Sequence, residues 1–217
     1  MAVAFLNDEL WFPDSADAEP DGLLAVGGDL SVDRLLLAYK NGIFPWYSQR
    51  PILWFNPDPR MVLFLDNFKI SKSLQKTVNK QIFNVTFNQC FKDVITACQK
   101  AHRHKGTWIT SEIIEAYIRL HKIGIASSVE VWQENRLVGG IYGLSMNGVF
   151  CGESMFHSLP DASKAGMVYL VDKLRQCGYV CIDAQVHSEH MARFGAACIS
   201  RDRYLKILKT NQHFQSI

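Results

Sequence analysis

An acid in the middle of an apolar run carries the clearest chemical signal in this sequence. In YVCIDAQV, residues 179–186, Asp183 interrupts the run and Gln185 follows two places later. Strict alternation in an extended segment puts Asp183 and Gln185 on one face, with Ile182, Ala184 and Val186 on the other. A second carboxylate, Glu153, lies in VFCGESMF, where Val149, Cys151, Glu153 and Met155 share a face by the same rule. A buried charge is costly unless it finds donors, a basic partner or a ligand. Two readings are open. In the structural one, Glu153 pairs with an arginine and Asp183 holds backbone amides. In the other, the carboxylates form a general acid/base or substrate-orienting pair, and Gln185 adds an amide that both donates and accepts. His187 and His190 are near enough in sequence to Asp183 to move protons. Ser154 lacks a GxSxG setting and no cysteine has a local histidine base, so direct attack between two bound substrates is favoured over a covalent enzyme intermediate.

The elements that must position these residues are readable around them. A helix is expected from Val32 to Lys40, capped by Ser31 and stopped at Asn41 and Gly42. Helices follow over the lysine-bearing segment after residue 66, near 88–101 and near 110–123. Then SSVEVWQE, RLVGGIYGLSM and GVFCGESMF form a strand meander with turns at Glu134–Asn135 and Asn147–Gly148. A helix through ASKAGMVYLVDKLRQCG, ended by Gly178, leads into the strand of Asp183. This order predicts an α+β or mixed α/β layer structure, with a small first domain over 1–65 and a larger one over 66–217. GGD at residues 27–29 lacks phosphate-loop context, so its glycines serve a tight turn. FPWYSQRPILWFNPDPR, with four prolines, predicts a fixed aromatic surface at Trp46, Tyr47 and Trp54 rather than a linker.

The 217 residues, 48% hydrophobic and 20% charged, describe a globular chain. No apolar run is long enough to span a membrane and the opening residues show no leader pattern, so a cytoplasmic protein is expected. Six cysteines form no CxxC pair, and no metal is expected. The net charge of +2 hides an asymmetry: residues 1–65 carry −5 and residues 66–217 carry +7. Lys69, Lys72, Lys76 and Lys80, spaced three, four and four, fall on one side of a helix, and Lys100, Arg103 and Lys105 follow. Such a stripe is either a solvated face or a phosphate-backbone contact.

Several longer strings, in order, resemble one family. EPDGLLAVGGDLS, LLLAYKNGIFPWYS, PILWFNPDPRMVL, GTWIT, EAYIRLHKIGIASSVEVW, LVGGIYG, FCGESMF, ASKAG and IDAQV, spread from Glu19 to Tyr204, resemble the bacterial leucyl/phenylalanyl-tRNA–protein transferases. The resemblance implies transfer of leucine or phenylalanine from aminoacyl-tRNA to the N-terminal α-amine of proteins beginning with lysine or arginine, marking them for N-end rule degradation. It further implies an acetyltransferase-like (GNAT) second domain and no metal or nucleotide cofactor, because the aminoacyl ester is already activated; a monomer is expected. By its motifs, Asp183 polarises Gln185, whose amide oxygen orients or helps deprotonate the incoming amine, and Glu153 receives the acceptor's basic side chain or orders the site. Trp46 and Trp108 match the positions that stack the terminal adenosine, while Ile141, Phe150, Met155, Met167 and Ile182 match the aminoacyl pocket. The lysine stripe and its neighbours become the tRNA-backbone contacts. Ala184 replaces the family's usual cysteine, and Arg193 and Phe194 replace a serine and a leucine. A tRNA-binding protein without catalysis is the other reading. A small-molecule N-acyltransferase is disfavoured because no Q/RxxGxG/A pyrophosphate loop is present.

Overall fold

This computed structural model describes residues 3–103, 106–210, 215 and 217; Lys105 lies outside the described residues. Strands β1 (Ala4–Leu6), β2 (Leu23–Gly27), β3 (Phe44–Pro45) and β4 (Leu53–Phe55) form a small sheet in the order β1-β2-β4-β3. Helix α1 (Val32–Lys40) starts where Ser31 accepts the Arg34 N–H and stops at Asn41, as the cap residues dictate. The aromatic segment is fixed, but mostly from within. Trp54 and Tyr47 are buried, and the Trp54 indole donates to the Gly27 carbonyl at 2.9 Å. Only Trp46 of the three is exposed, which corrects the expected aromatic surface: the other two rings supply the core that this short sheet needs.

The remaining strands form a seven-stranded sheet. Its order is β11 (Ala197–Ile199), β5 (Arg60–Phe64), β10 (Cys181–Gln185), β9 (Val149–His157), β8 (Arg136–Met146), β7 (Ala126–Gln133), β6 (Asn84–Phe87). The change of sheet thus falls between Phe55 and Arg60, ahead of the 65/66 boundary read from composition. The β7–β8 and β8–β9 hairpins turn at Glu134–Asn135 and Asn147–Gly148, all four with positive φ, as two-residue hairpins require. Helices α3 (Phe91–His102) and α4 (Ser111–Lys122), with α1 and α7 (Arg201–Thr210), bury one face of the sheet; α5 (Ala162–Gln176), α2 (Lys72–Asn79) and α6 (Glu189–Arg193) cover the other. A small first unit followed by a GNAT-like mixed α/β layer is the class expected. The lysine helix is shorter than its stripe: Lys69 precedes α2 and Lys80 sits at its end, although all four lysines are exposed.

Two single-residue bulges set the site. On β9, Tyr142 faces Ser154 while Gly143 faces Gly152, so Glu153 is an extra residue without a partner across the pair. The close approach needs glycine, since a Cβ on Gly143 would lie 2.3 Å from the Cys151 carbonyl oxygen. The bulge also reverses the alternation after it. Val149 and Cys151 belong to one core cluster, whereas Met155 packs with Phe150 in the opposite one, so Glu153 and Met155 do not share a face as strict period two predicts. On β10, Asp183 faces Val62 and Gln185 faces Met61, leaving Ala184 as the extra residue.

Asp183 is wholly buried, and Arg60 offsets its desolvation. Arg60 Nε and Nη2 donate to Asp183 Oδ1 and Oδ2 at 2.8 and 2.6 Å, and Nη1 donates to the Gly42 carbonyl at 2.8 Å. The guanidinium lies between the rings of Phe44 and Tyr204 at 4.9 and 4.5 Å from their centroids. Burial alone favours its neutral form, but Asp183 outweighs that and holds Arg60 protonated above the ordinary arginine range. Tyr204 donates to Oδ2 at 2.8 Å and the Gln185 backbone N–H donates to Oδ1 at 2.9 Å, so four donors occupy the carboxylate. Removing one member strands the other charge. Asp183→Ala is therefore expected to cost about 3 to 5 kcal/mol in urea unfolding, and an Arg60→Met, Asp183→Leu pair far less than either single change.

Candidate active site

The parallel pairing of β10 with β9 runs from Cys181↔Val149 only to Asp183↔Cys151, while β9 continues to His157. Beyond that point the strands part, and a cleft of about 430 Å³ opens between them. The bulges turn one polar side chain from each strand into the gap. Gln185, held at φ +58 by its N–H bond to Asp183, donates from Nε2 to Glu153 Oε1 at 3.0 Å. The same oxygen accepts from the Tyr39 hydroxyl at 2.8 Å, and Oε2 accepts from the Tyr117 hydroxyl at 3.3 Å. Among the described residues Glu153 therefore meets three neutral donors and no arginine. Burial is the main cause that pushes its carboxyl up to about 8; the nearby Asp183 charge adds to this, and the tyrosine bonds and Arg60 oppose it.

The expected polarisation of Gln185 by Asp183 takes a different form. Asp183 bonds the backbone N–H of Gln185, not its side-chain amide, because the bulge carries the amide across the gap to Glu153. With its Nε2 turned to Glu153, the amide leaves its oxygen as the acceptor available to a ligand.

The other expected residues divide into two groups. Trp46, Trp108, Ile141, Phe150, Met155, Met167 and Ile182 all border this one cleft together with Glu153, Asp183 and Gln185. Trp46 is 42% exposed and rests edge-on against Phe55 at 5.5 Å, while Trp108 is half-buried. Ile141, Phe150, Met167 and Ile182 are buried and form the apolar end. Lys69, Lys72, Lys76, Lys80, Lys100 and Arg103 are exposed and lie outside the cleft lining, although His102, next to Arg103, borders it.

Several residues escaped the sequence reading. Tyr39 and Tyr117 sit on apolar helix faces and look like core, but a buried phenol needs a partner, which was the available clue. Arg60 heads the apolar run RMVLF, where a basic residue calls for a buried acid. Of the two histidines near Asp183 in sequence, His187 is a surface residue 3.7 Å from Glu189. His190 borders the cleft with its Nε2 buried and unpartnered among the described residues; burial, with Lys164, Arg193 and His157, disfavours its charged form.

This arrangement agrees with what the chain resembles. Residues 62–209 match the leucyl/phenylalanyl-tRNA protein transferase family, and residues 28–58 match the N-terminal domain of the same family. The chain belongs to the leucyl/phenylalanyl-tRNA–protein transferase family. The protein of that name from Flavobacterium johnsoniae is 51% identical over 209 residues, covering 95% of this chain and 99% of its own. The one from Syntrophobacter fumaroxidans is 52% identical over 214 residues, covering 97% and 92%. Among solved structures, FemX aligns with a TM-score of 0.53 at 11% identity over 78% of this chain and 66% of its own, a likeness of fold. In this member of the transferase family the strand gap, the acid and the amide converge on one cleft.

The raised Glu153 carboxyl has a stability signature. The folded protein keeps this proton between the ordinary value of 4.5 and about 8, whereas the unfolded chain has lost it. Stability should therefore fall as pH rises through that window, by up to about 1.4 kcal/mol per unit from this group. Glu153→Gln should lack that contribution. Urea unfolding of both proteins at about pH 5 and about pH 7.5 checks the difference between the two slopes.

Proposed function

We propose that this chain transfers leucine or phenylalanine from aminoacyl-tRNA to the α-amine of proteins beginning with lysine or arginine, marking them for N-end rule degradation. The observation that carries the reading is the convergence, in one cleft, of two tryptophans, an apolar end and a Glu153–Gln185 pair across the strand gap. Trp46 and Trp108 stack the terminal adenosine, as tryptophan faces do for bases of any sequence. Ile141, Phe150, Met155, Met167 and Ile182 receive the leucyl or phenylalanyl side chain by burial. Glu153 and Gln185 receive the acceptor's amino terminus. Asp183 acts as a positioning residue that holds the Gln185 bulge.

The aminoacyl ester is already activated, so positioning and polar stabilisation are the enzyme's contribution and no cofactor is called for. Lys69, Lys72, Lys76, Lys80, Lys100 and Arg103 supply phosphate contacts, as does Lys105 by its sequence position. We take the chain as two domains, a small N-terminal one and a GNAT-like one that includes β5. We take the chain as a monomer. No helix among the described residues is long and apolar enough to cross a membrane, and a cytoplasmic setting gives access to charged tRNA.

The direct test supplies purified protein, leucyl-tRNA and a peptide beginning with arginine. The expected product is the peptide heavier by one leucine residue, and none is expected from an N-acetylated peptide. Two variant classes then separate the nucleic-acid contacts. Replacing Lys69, Lys72, Lys76 and Lys80 with glutamine should weaken whole-tRNA binding and flatten its salt dependence. Trp46→Ala or Trp108→Ala should instead weaken a short aminoacyl-adenosine analogue by about 1 to 3 kcal/mol in titration. An unchanged salt slope would make the lysines a solvated face.

A further inference from the structure

The contacts around Glu153 do not balance in protons while its carboxyl is ionised. Tyr39 bonds Glu153 Oε1, Tyr117 bonds Oε2, and the two phenol oxygens also sit at hydrogen-bond distance from each other. That makes three oxygen-to-oxygen contacts. Two phenols bring two protons, so one contact has none. A third proton, on Glu153, closes the ring: the carboxylic acid donates to Tyr117, Tyr117 to Tyr39, and Tyr39 to the other carboxyl oxygen. Burial, then the Glu153 charge, pushes both phenols well above the ordinary tyrosine range, so they keep their protons and the carboxyl is the member that titrates.

We propose that the Glu153–Tyr39–Tyr117 ring is the proton acceptor of the transfer reaction, taking a proton from the acceptor's α-ammonium into its third contact. The proposal rests on the aminoacyl-transfer reading above and gives Glu153 the reacting amine, not the basic side chain of the acceptor. The step starts from the ionised form of Glu153, the minority form below about pH 8: one N–H proton passes from the α-ammonium to that carboxylate and the nitrogen becomes a neutral nucleophile. The nitrogen attacks the ester carbonyl, and a C–N bond forms. The C–O bond to the ribose breaks, and the departing oxygen takes the second proton from nitrogen. Glu153 then releases its proton to solvent.

Glu153 is the catalytic residue of this step, and Tyr39 and Tyr117 are positioning residues. Of the other titratable groups, His102, His157 and His190 border the cleft, but among the described residues none bonds Glu153 or Gln185: His102 meets the Met155 carbonyl and His157 the Ser163 hydroxyl. Asp183 on β10 is fully occupied by Arg60 of β5, Tyr204 of α7 and a backbone amide. The Gln185 amide has no titrating proton. Cys151 on β9 and Tyr142 on β8 are buried, and burial first, then nearby carboxylates, raises both well above their ordinary values. The Glu153 carboxyl at about 8 is close to an ordinary α-ammonium at about 7.7 to 8.0, so the transfer is nearly balanced in energy.

The test measures single-turnover transfer from leucyl-tRNA to a saturating arginine-start peptide between about pH 6 and about pH 9. Glu153→Gln, of the same size but unable to take a proton, should lose about 100-fold in rate near neutrality. Its residual rate should then climb about tenfold per pH unit, because only pre-formed free amine reacts, and level off near pH 8. The wild-type rate, which needs Glu153 ionised and the amine protonated, should climb to a maximum near pH 8 and fall beyond it, and Tyr39→Phe should fall between the two with its acceptor KM little changed. Infrared spectra should show a protonated carboxyl at neutral pH that is lost as pH rises through about 8 and is missing from Glu153→Gln. A loss confined to acceptor KM, or a wild-type rate that levels off above about pH 8 as that of Glu153→Gln does, would overturn the proposal and make Glu153 a binding group only. A protonated band that persists above about pH 9 would overturn it independently of turnover, because the carboxyl would then have no vacant contact to fill. If the wild-type protein itself made no product, the transfer reading would fall first and this step with it.

Discussion

One buried ion pair organises this molecule. Arg60 and Asp183 have no exposed surface, and each is fully engaged: the guanidinium by the carboxylate, a carbonyl and two rings, the carboxylate by four donors. A buried pair is weak evidence for net stability but strong evidence that geometry is being fixed, since neither partner tolerates losing the other. Here it joins β5 to β10, fastens α7 through Tyr204, and holds the backbone of Gln185 in a conformation that a residue with a side chain rarely takes. The amide that faces the cleft owes its place to this pair.

The second constraint is registry. A strand that alternates perfectly presents either polar or apolar side chains to a given side, and the cleft needs both. The extra residues Glu153 and Ala184 break the alternation at the point where β9 and β10 separate. Polar groups gather on the side of Tyr39 and Tyr117, while Phe150, Met155 and Ile182 line the side of α5. A charged or reactive centre and a dry pocket can then occupy one cavity, because a bulge costs only local pairing and re-aims the side chains beyond it.

Most of the architecture was legible because it depends on local signals. Ser31 capping α1, the two-residue turns at 134–135 and 147–148 and the helix stopped at Gly178 are short-range rules, and they placed the elements. The site was legible in its residue types but not in its wiring. Asp183 advertised a buried partner, yet nothing near it in sequence named Arg60, 123 positions away. Tyr39 and Tyr117 read as core because a helix stripe looks the same whether its phenol ends in packing or on a carboxylate. The bulges were invisible for a further reason: the one on β9 has a glycine on one strand meeting a glycine on the next, the one on β10 lies opposite Met61 and Val62, and pairing between strands is not written in either alone.

The third donor of Arg60 reaches Gly42, which belongs to the smaller unit, at the end of α1. The centre of the larger sheet is thus completed by a carbonyl from outside it. The halves of this protein are consequently poor candidates for mixing and matching. A first unit grafted from another sequence must deliver a carbonyl oxygen to the same spot, or the arginine beneath the cleft is left one acceptor short. Recombination between relatives should then preserve the junction from Asn41 to Arg60 as a block, whatever else it exchanges.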